Sequence, residues 1–540
     1  MKRSVRIALA GLAAGALVAG TSVAGAILDP IVSPPAGEDS ASTPTVTASE
    51  VLATITSESS SDIASGNEEL TPEEIFAIAS GKVTAPKGEL PEGTFLVGAA
   101  RASLTPTPQP WGGTQWQKEG CTIYGTGGYG GIEQDHALPS SPDDVGGWPA
   151  ASPDCVYLGG FGLGPVRPAQ GVDDGGVWVR AIAISNGEET FAYAIADTVG
   201  WFARYDSDVC SDCGILDVRE RLASDLGLGD AKVGNITIGS THTHAGGDTY
   251  GGWGGIPDWY RSQLRDAAIA AVKQSVANME PAQIAVGEVS LRDRNSQRRD
   301  NYISTADTGA TWLQAKALPE TTCTGKKKRE SCETTQRVIT TMATFAGHPT
   351  MINAPILHAD WVGAAARGLE NIYGSGVGVM FEGGLGNVSI SGRGGASKDE
   401  AAENTGRQIA ELVSADIERN PRLLTTNEMK AAVEVIEHPV MTNAALTSLG
   451  TVGLFDREFT PGTKGASVPG QYVRKGNSNG PTDRPTFDTC TSAGLQVRTT
   501  AGAHRIGNFV IAFGPGELFS NISEAVKEEV DRTAATMVLG

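Results

Sequence analysis

The segment Asn235–Gly247 reads NITIGSTHTHAGG and holds two of the seven histidines in a chain of 540 residues. Its first part, Asn235–Ser240, has the apolar pattern of a short strand. In an extended chain, residues i and i+2 project to the same side, about 6.5–7 Å apart. His242 and His244 should therefore address one site if the extended geometry continues. From the spacing alone, two surface histidines on a turn explain the pattern equally well.

Strand-like apolar runs recur on both sides of this segment. They are VWVRAIAI (Val177–Ile184), TFAYAIAD (Thr190–Asp197), VITTMATFA (Val338–Ala346), GVGVMF (Gly376–Phe381) and NFVIAF (Asn508–Phe513). Helical patterns alternate with them at Ile215–Leu226, Tyr260–Val276, Glu400–Arg419 and Glu517–Val530. This alternation predicts an α/β fold: one large domain whose mixed, mostly parallel sheet is flanked by helices.

Three of these runs lead into a glycine- or proline-containing loop with a polar residue. His348 follows the run at 338–346, Ser389 follows the run at 376–381, and Glu517 follows the run at 508–513. In α/β sheets, ligands bind just beyond the carboxyl ends of strands. Two histidines and a carboxylate meeting there would form a three-ligand zinc site with water in the fourth position. Taken alone, Glu517 is equally well explained as a first-turn acid that favours the helix dipole.

The remaining histidines divide into two groups. His358 follows His348 by ten residues, and we expect it to be able to reach the same cleft. His136, His438 and His504 have no comparable sequence context. We therefore assign these three to structural positions.

The composition restricts the class of partner. Hydrophobic residues make up 40% and charged residues 19% of the chain, which is typical of a globular protein. The formal net charge is −20. A field of this sign repels phosphate backbones, so we expect no nucleic-acid partner. It also argues against binding to anionic membranes through a basic patch.

The N-terminus predicts export. Lys2 and Arg3 precede the apolar run Ile7–Val23, and small residues up to Ala26 suit a signal peptidase. We interpret residues 1–26 as a signal peptide and the protein as secreted and extracellular. An uncleaved membrane anchor is the alternative.

The next segment, residues 27–94, is rich in Ser, Thr, Pro and acidic residues. Such a composition buries too little apolar surface to fold alone, which predicts a disordered acidic linker. Within it, Thr71–Ile78 has the N-cap, the first-turn proline and the acidic residues of a short helix. The folded domain is then expected over residues 95–540.

The seven cysteines fit an oxidising compartment. Their spacing suggests three pairs, Cys121–Cys155, Cys210–Cys213 and Cys323–Cys332, and it leaves Cys490 over. The CSDC segment could also be half of a zinc site. No second half accompanies it, so we predict a small disulfide loop.

The motifs THTHAGG, FAGHPT, GLGNVS and GPGE, in this order, resemble the neutral/alkaline (non-lysosomal) ceramidases. Each motif is weak alone, and the resemblance runs from about Val97 to the C-terminus. It implies the catalytic domain of that family, which uses one zinc ion (Zn²⁺) to cleave ceramide into sphingosine and a fatty acid. A lipid amide substrate and peripheral contact with a membrane or micelle surface follow from the same resemblance.

The resemblance also assigns roles to six residues. The residues that match zinc ligands are His242, His348 and Glu517. His244 matches a catalytic histidine near the scissile amide, and Ser389 matches a serine that attacks or hydrogen-bonds the substrate. Arg298 matches an arginine of the family's Asn-Arg-Ser segment.

Two departures from the family leave the substrate more open than the zinc, and a third concerns a zinc ligand. The loop after the histidines reads AGGDTY without the family's proline, and the segment after Gly386 reads NVSIS rather than DVSPN. The family's zinc-ligating tyrosine has no counterpart, because no tyrosine follows Tyr472. We expect either that water replaces it or that the chain is a fragment, and the apolar ending Met537–Gly540 favours a fragment.

Three alternative functions follow from the same residues. One is a zinc hydrolase of this fold that acts on another amide or ester. A second is a serine amidase in which Ser389 attacks the substrate. A third is a non-catalytic surface protein that has lost its activity, although retention of all the ligand-type residues argues against it.

Overall fold

The computed structural model describes residues 70–107, 121, 151–161, 165, 167–298, 306–324, 331–392, 394–439, 455–458, 460–461, 472–473, 486–487, 495–530 and 535–540. The predicted signal peptide and residues 27–69 of the predicted linker lie outside the described residues. So do His136 and Cys490.

Six α-helices are present in the described part of the chain. They are α1 Pro72–Ser80, α2 Ile215–Asp225, α3 Asp258–Ala277, α4 Asp360–Tyr373, α5 Lys398–Arg419 and α6 Ser520–Val530. Five of them confirm the predicted helices within three residues, and α4 was not predicted. Glu517 precedes α6 instead of beginning it, so the helix-dipole explanation of this residue does not apply.

The strands, in chain order, are β1 Phe95–Ser103, β2 Gly171–Val172, β3 Trp178–Ser185, β4 Thr190–Ala196, β5 Ile236–Ser240, β6 Glu280–Ser290, β7 Asn295–Gln297, β8 Gly309–Ala317, β9 Glu320–Thr324, β10 Ser331–Thr335, β11 Val338–Phe345, β12 Ile356–Leu357, β13 Val377–Glu382, β14 Val388–Ile390, β15 Arg422–Leu423, β16 Met429–Pro439, β17 Thr460–Pro461, β18 Tyr472–Val473, β19 Thr486–Phe487, β20 Leu495–Ile506, β21 Phe509–Phe513 and β22 Ala535–Leu539. All the predicted strands are among them.

Nine strands form one large sheet in the order β13-β11-β8-β6-β1-β3-β4-β5, with β15 beside β6. A five-stranded sheet has the order β16-β20-β21-β22, with β17 beside β20.

The α/β class and the large mixed sheet flanked by helices are confirmed, but the expected predominance of parallel pairing is wrong. Among the described pairings of the large sheet, only β4–β5 and β11–β13 are parallel. Parallel neighbouring strands must be joined by a long crossover connection; α2 lies in the one from β4 to β5, and α4 in the one from β11 to β13. The other neighbours in this sheet pair antiparallel. In the smaller sheet, β21–β22 is parallel and is connected through α6.

The large sheet curls so that its two ends pack against each other. A methyl group in place of the Gly239 hydrogen would lie 3.8 Å from the Phe381 ring, which joins β5 to β13, the opposite end of the strand order. Both sheets contribute to one apolar core between them, which includes Phe95, Ile182, Phe191, Val379, Phe509 and Ile511. Burial of such side chains stabilises the fold by roughly 1.5–3 kcal/mol each. The curl brings distant strand ends together.

The segment just before β1 belongs to the folded domain, although the sequence analysis assigned it to the linker. Thr71 and Glu74 form a capping box at the start of α1. At the other end, the buried Lys273 ammonium of α3 donates to the carbonyls of Ala79 and Gly81 at 2.8 and 2.6 Å. A cation at the carboxyl end of a helix stabilises the helix dipole.

The three predicted disulfides, Cys121–Cys155, Cys210–Cys213 and Cys323–Cys332, are present. Each joins two cysteines that follow one another in the cysteine order of the sequence, so that order was a sufficient guide. Within the described residues, no helix is both long and apolar enough to cross a membrane.

His504 occupies a structural position, as the sequence analysis assigned it. The imidazole is buried between the two sheets, stacks on Phe191 and lies 2.8 Å from the Tyr193 hydroxyl and 2.9 Å from the Gly234 carbonyl. Burial lowers the pKa of His504 to about 3. The folded protein therefore keeps this histidine neutral at pH values where the unfolded chain is protonated.

This difference predicts a pH-dependent loss of stability. A histidine in the unfolded chain has a pKa near 6.5, so above about pH 6.5 His504 is neutral in both states and its contribution to the free energy of unfolding is complete. As the pH falls towards about 3, the unfolded chain binds a proton at this residue that the folded protein does not, and the free energy of unfolding decreases. At pH 5 the loss should be roughly 2 kcal/mol. We expect the difference in unfolding free energy between pH 7 and pH 5, measured by denaturant unfolding, to be smaller by that amount in His504→Gln. Equal pH dependence in wild type and variant would contradict this assignment.

Candidate metal centre and active site

Three histidines meet in one cleft. The ring centroids of His242 and His244 are 5.0 Å apart, and those of His242 and His348 are also 5.0 Å apart. His244 and His348 are separated by 5.8 Å. His242 and His348 are buried and His244 is half-buried. One nitrogen atom of each ring lies close enough to those of the other two rings for all three to bind a single metal ion.

The parallel strand pairs deliver these residues. His242 follows β5, whose parallel partner is β4, and His348 follows β11, whose parallel partner is β13. Glu517 follows β21, which is paired in parallel with β22. Each pair is linked by a helical crossover, so the carboxyl ends of both its strands point the same way. The cleft lies where the three sets of strand ends meet.

The chain leaves the extended conformation at His242, contrary to the geometry assumed from the sequence. Its φ is 60°, in the left-handed region that residues other than glycine seldom adopt. Such a conformation costs about 1–3 kcal/mol and persists only where surrounding contacts impose it. The turn still leaves His242 and His244 in the same site.

Two backbone carbonyls fix the tautomers of the buried histidines. Nδ1 of His242 lies 2.7 Å from the Val199 carbonyl oxygen, and Nδ1 of His348 lies 2.8 Å from that of Leu385. A carbonyl only accepts, so each Nδ1 carries the hydrogen and each Nε2 presents a lone pair. The Nε2 atoms of His242 and His348 lie 3.5 and 3.2 Å from the carboxylate oxygens of Glu517. Two imidazole lone pairs and a carboxylate are a donor set that suits zinc.

Burial and neighbouring charges keep His242, His244 and Glu517 in the protonation states that metal binding requires. Burial lowers the pKa of His242 to about 4, although the Glu517 charge opposes the shift. Burial also places the pKa of His244 well below its ordinary value, with help from His242 and His348. Burial alone would raise the pKa of Glu517, but the adjacent His348 and His242 imidazoles and the Arg298 guanidinium lower it to about 2. At neutral pH, His242 and His244 are therefore neutral and the carboxylate is ionised, as metal binding needs.

Arg298 and Ser389 lie in the same cleft. The Nη2 atom of Arg298 is 2.6 Å from Nε2 of His348, 3.3 Å from the Gly386 carbonyl oxygen and 3.9 Å from a carboxylate oxygen of Glu517. A guanidinium only donates, which agrees with a lone pair on that nitrogen, and a side-chain donor, unlike a main-chain one, can turn away when a metal binds there. Ser389 lies on β14, where its backbone bridges that of His348. The structure thus brings together all six site residues expected from the sequence.

Sequence reasoning missed a group that supports His244. The buried Arg167 donates to the carbonyls of His244 and Gly159 at 2.7 and 3.1 Å. Its guanidinium lies 5.0 Å from the centre of the Phe161 ring, and Phe161 meets the His244 ring edge-on at 5.2 Å. A single buried arginine has no periodic signal in a sequence, so nothing there indicated these contacts.

A second group with metal-ligating residue types contains Asp173, His358 and Glu403. Here Nδ1 of His358 accepts a hydrogen bond from the Asp360 backbone N–H at 2.7 Å. In the neutral ring the hydrogen is therefore on Nε2, 3.6 Å from Asp173, and no lone pair is left there for a metal. Glu403 is already paired with Arg367. This group does not fit a metal bound through His358.

His358 supports the histidine loop from behind and does not line the cleft, which corrects the expectation that it reaches the same cleft. Its carbonyl accepts from the Thr243 hydroxyl at 2.8 Å, and its N–H donates to the Ala245 carbonyl at 3.0 Å. Its side chain is fully buried. The backbone of His358 therefore holds the loop between and after the two cleft histidines.

The chain matches known proteins in its three-dimensional structure. No protein-family model matches the sequence, and no curated protein matches it. A crystal structure of neutral ceramidase from Pseudomonas aeruginosa matches with a TM-score of 0.50 at 13% identity, covering 82% of this chain and 68% of that one. A structure of ceramidase complexed with C2 matches with the same TM-score and identity, covering 83% and 68%. The chain therefore has a ceramidase-like fold.

The tautomer of His358 predicts that this residue is not a metal ligand. We expect His358→Gln to keep the metal content of the wild type, because the Gln amide oxygen can still accept the Asp360 N–H. Unfolding free energy should fall by roughly 1–3 kcal/mol, since a buried, hydrogen-bonded ring is lost. Metal analysis of the purified variant by mass spectrometry checks this. A metal content reduced by one equivalent would show that the second group binds metal after all.

Proposed function

We propose that this chain is a secreted, zinc-dependent amidohydrolase that cleaves the N-acyl amide of ceramide or a related lipid amide. One observation carries the proposal: the Nε2 lone pairs of His242 and His348 converge with the Glu517 carboxylate in a fold shared with neutral ceramidases. The three disulfides are consistent with export.

In this proposal His242, His348 and Glu517 hold the zinc ion. When bound, zinc supplies a Lewis acid for the amide carbonyl and lowers the pKa of water towards about 7. Glu517 also balances the charge of the ion. The carbonyls of Val199 and Leu385 keep both imidazoles in the ligating tautomer.

His244 is the proposed proton carrier. Its Nε2 lies 3.4 Å from Nε2 of His242, and its buried Nδ1 has no hydrogen-bond partner among the described residues. Within the described ranges no carbonyl fixes its tautomer, in contrast to the two proposed ligands. A histidine of this kind can take a proton at one nitrogen and deliver it to the leaving amine.

Arg298 and Ser389 are the proposed substrate-positioning groups. The Arg298 guanidinium is near the ligand set, where it can donate to the carbonyl oxygen of the amide. The Ser389 side chain is half-buried, and its hydroxyl makes no hydrogen bond to a histidine within the part of the chain described. A nucleophilic serine needs an adjacent base. This favours the zinc mechanism over the serine amidase.

Replacement of histidines separates metal binding from proton transfer. We expect His242→Ala to lose most zinc and with it the hydrolysis of N-acyl sphingosine, because a three-ligand site tolerates loss of a ligand poorly. We expect His244→Gln to keep zinc and to lose roughly 10²–10⁴-fold in turnover. His504→Gln, whose ring bonds to Tyr193 and Gly234 between the two sheets and not to a cleft residue, is the matched control and should keep both properties at pH 7. Wild-type activity that survives removal of zinc by a chelator would refute the proposal and favour a serine amidase.

Glu517 is tested separately, because His244 also lies within metal-binding reach. Glu517→Gln removes the ligand charge with little change of shape. We expect zinc affinity to fall by more than the roughly 10–100-fold typical of an outer-shell change, and by more than in His244→Gln. Competition with a chromogenic chelator measures both affinities. The reverse order would make His244 the third ligand.

A further inference from the structure

The loop that follows the two histidines is organised around one buried carboxylate. Asp248 accepts hydrogen bonds from four backbone N–H groups, those of Tyr250, Gly251, Trp253 and Gly255, at 3.1, 3.1, 2.6 and 2.9 Å. Its side chain is fully buried. A glycine-rich loop held in this way presents its side chains in fixed positions.

Tyr250 is the side chain that this loop fixes beside the metal centre. Its carbonyl accepts from the Asp456 N–H at 3.0 Å, and its ring stacks on Phe202 with centroids 4.8 Å apart. The hydroxyl reaches over Gly200, where a methyl group would lie 1.8 Å from it. Gly200 is next to Val199, whose carbonyl orients a ligand histidine. The absence of a side chain at Gly200 makes room for the phenol.

The Tyr250 hydroxyl has no hydrogen-bond partner among the described residues. Tyrosine hydroxyls within a protein are usually paired, and those of Tyr193 and Tyr260 are, at 2.8 and 2.9 Å. The Tyr205 hydroxyl is also unpaired, but it is sealed from solvent, whereas that of Tyr250 is not. Burial raises the pKa of Tyr250 and the nearby charge of Glu517 raises it further, so the phenol stays a donor.

We propose that the Tyr250 hydroxyl is a substrate-binding group that donates a hydrogen bond to an oxygen of the lipid amide beside the metal centre. The inference rests on the proposed amidohydrolase function. Its geometric basis is a phenol held at its backbone N–H, its backbone carbonyl and its ring, with only the hydroxyl left to bond. The accepting oxygen belongs either to the scissile acyl group or to a hydroxyl of the lipid headgroup.

The test compares Tyr250→Phe with Tyr205→Phe. Both variants remove one unpaired hydroxyl from neighbouring aromatic rings, but only the Tyr250 hydroxyl is open to solvent and lies at Gly200, beside the residue that orients His242. With N-acyl sphingosine we expect Tyr250→Phe to lower kcat/KM roughly ten- to a hundredfold, with zinc content and Tm at wild-type values. Tyr205→Phe should match the wild type in all three measurements. The same loss on an N-alkyl amide without headgroup hydroxyls assigns the acyl oxygen, and a loss confined to N-acyl sphingosine assigns the headgroup.

The outcomes that overturn the inference are distinct from failure of the proposed function. A wild type that hydrolyses no lipid amide removes the proposed function and this inference with it. An active wild type with Tyr250→Phe as active as Tyr205→Phe overturns the inference alone. Loss of zinc in Tyr250→Phe also overturns it, because the hydroxyl would then serve the metal site and not the substrate.

Discussion

The site depends on two hydrogen bonds from imidazole Nδ1 to backbone carbonyls. Val199, which orients His242, follows β4, and His242 itself follows the parallel partner β5. Leu385, which orients His348, follows β13, and His348 follows the parallel partner β11. Each proposed ligand and its orienting carbonyl therefore come from one parallel pair. Main-chain carbonyls cannot be lost by substitution, so the tautomers are built into the sheet itself.

The contrast with His358 shows how much this hydrogen bond decides. His358 is more deeply buried than the cleft histidines and has two carboxylates nearby. Its Nδ1, however, meets an N–H donor instead of a carbonyl, so the lone pair is used inside the fold. The same residue types thus form a metal-competent group at one place and a support for the histidine loop at another. Residue type and proximity alone do not distinguish them.

The position of the site follows from the curl of the large sheet. The pair β4–β5 and the pair β11–β13 lie at opposite ends of the strand order, and the apolar core between the sheets closes the distance. The smaller sheet packs over the same core and brings Glu517 to the cleft from a third parallel pair. The left-handed backbone at His242 is a local cost that this packing offsets.

The amino-acid sequence by itself determined the local structure. Apolar runs located the strands, their polar end residues indicated the site, and close cysteine spacing indicated the disulfides. Which strands are neighbours depends on contacts between residues far apart in the chain, so the sequence suggested a mostly parallel sheet where most pairs are antiparallel. The tautomers of His242 and His358 depend on backbone groups from other segments, and so does the placement of the Tyr250 hydroxyl, which no described residue binds. Only the tertiary structure decided them, because a side chain's hydrogen-bond partner is set by packing and not by its own sequence neighbours.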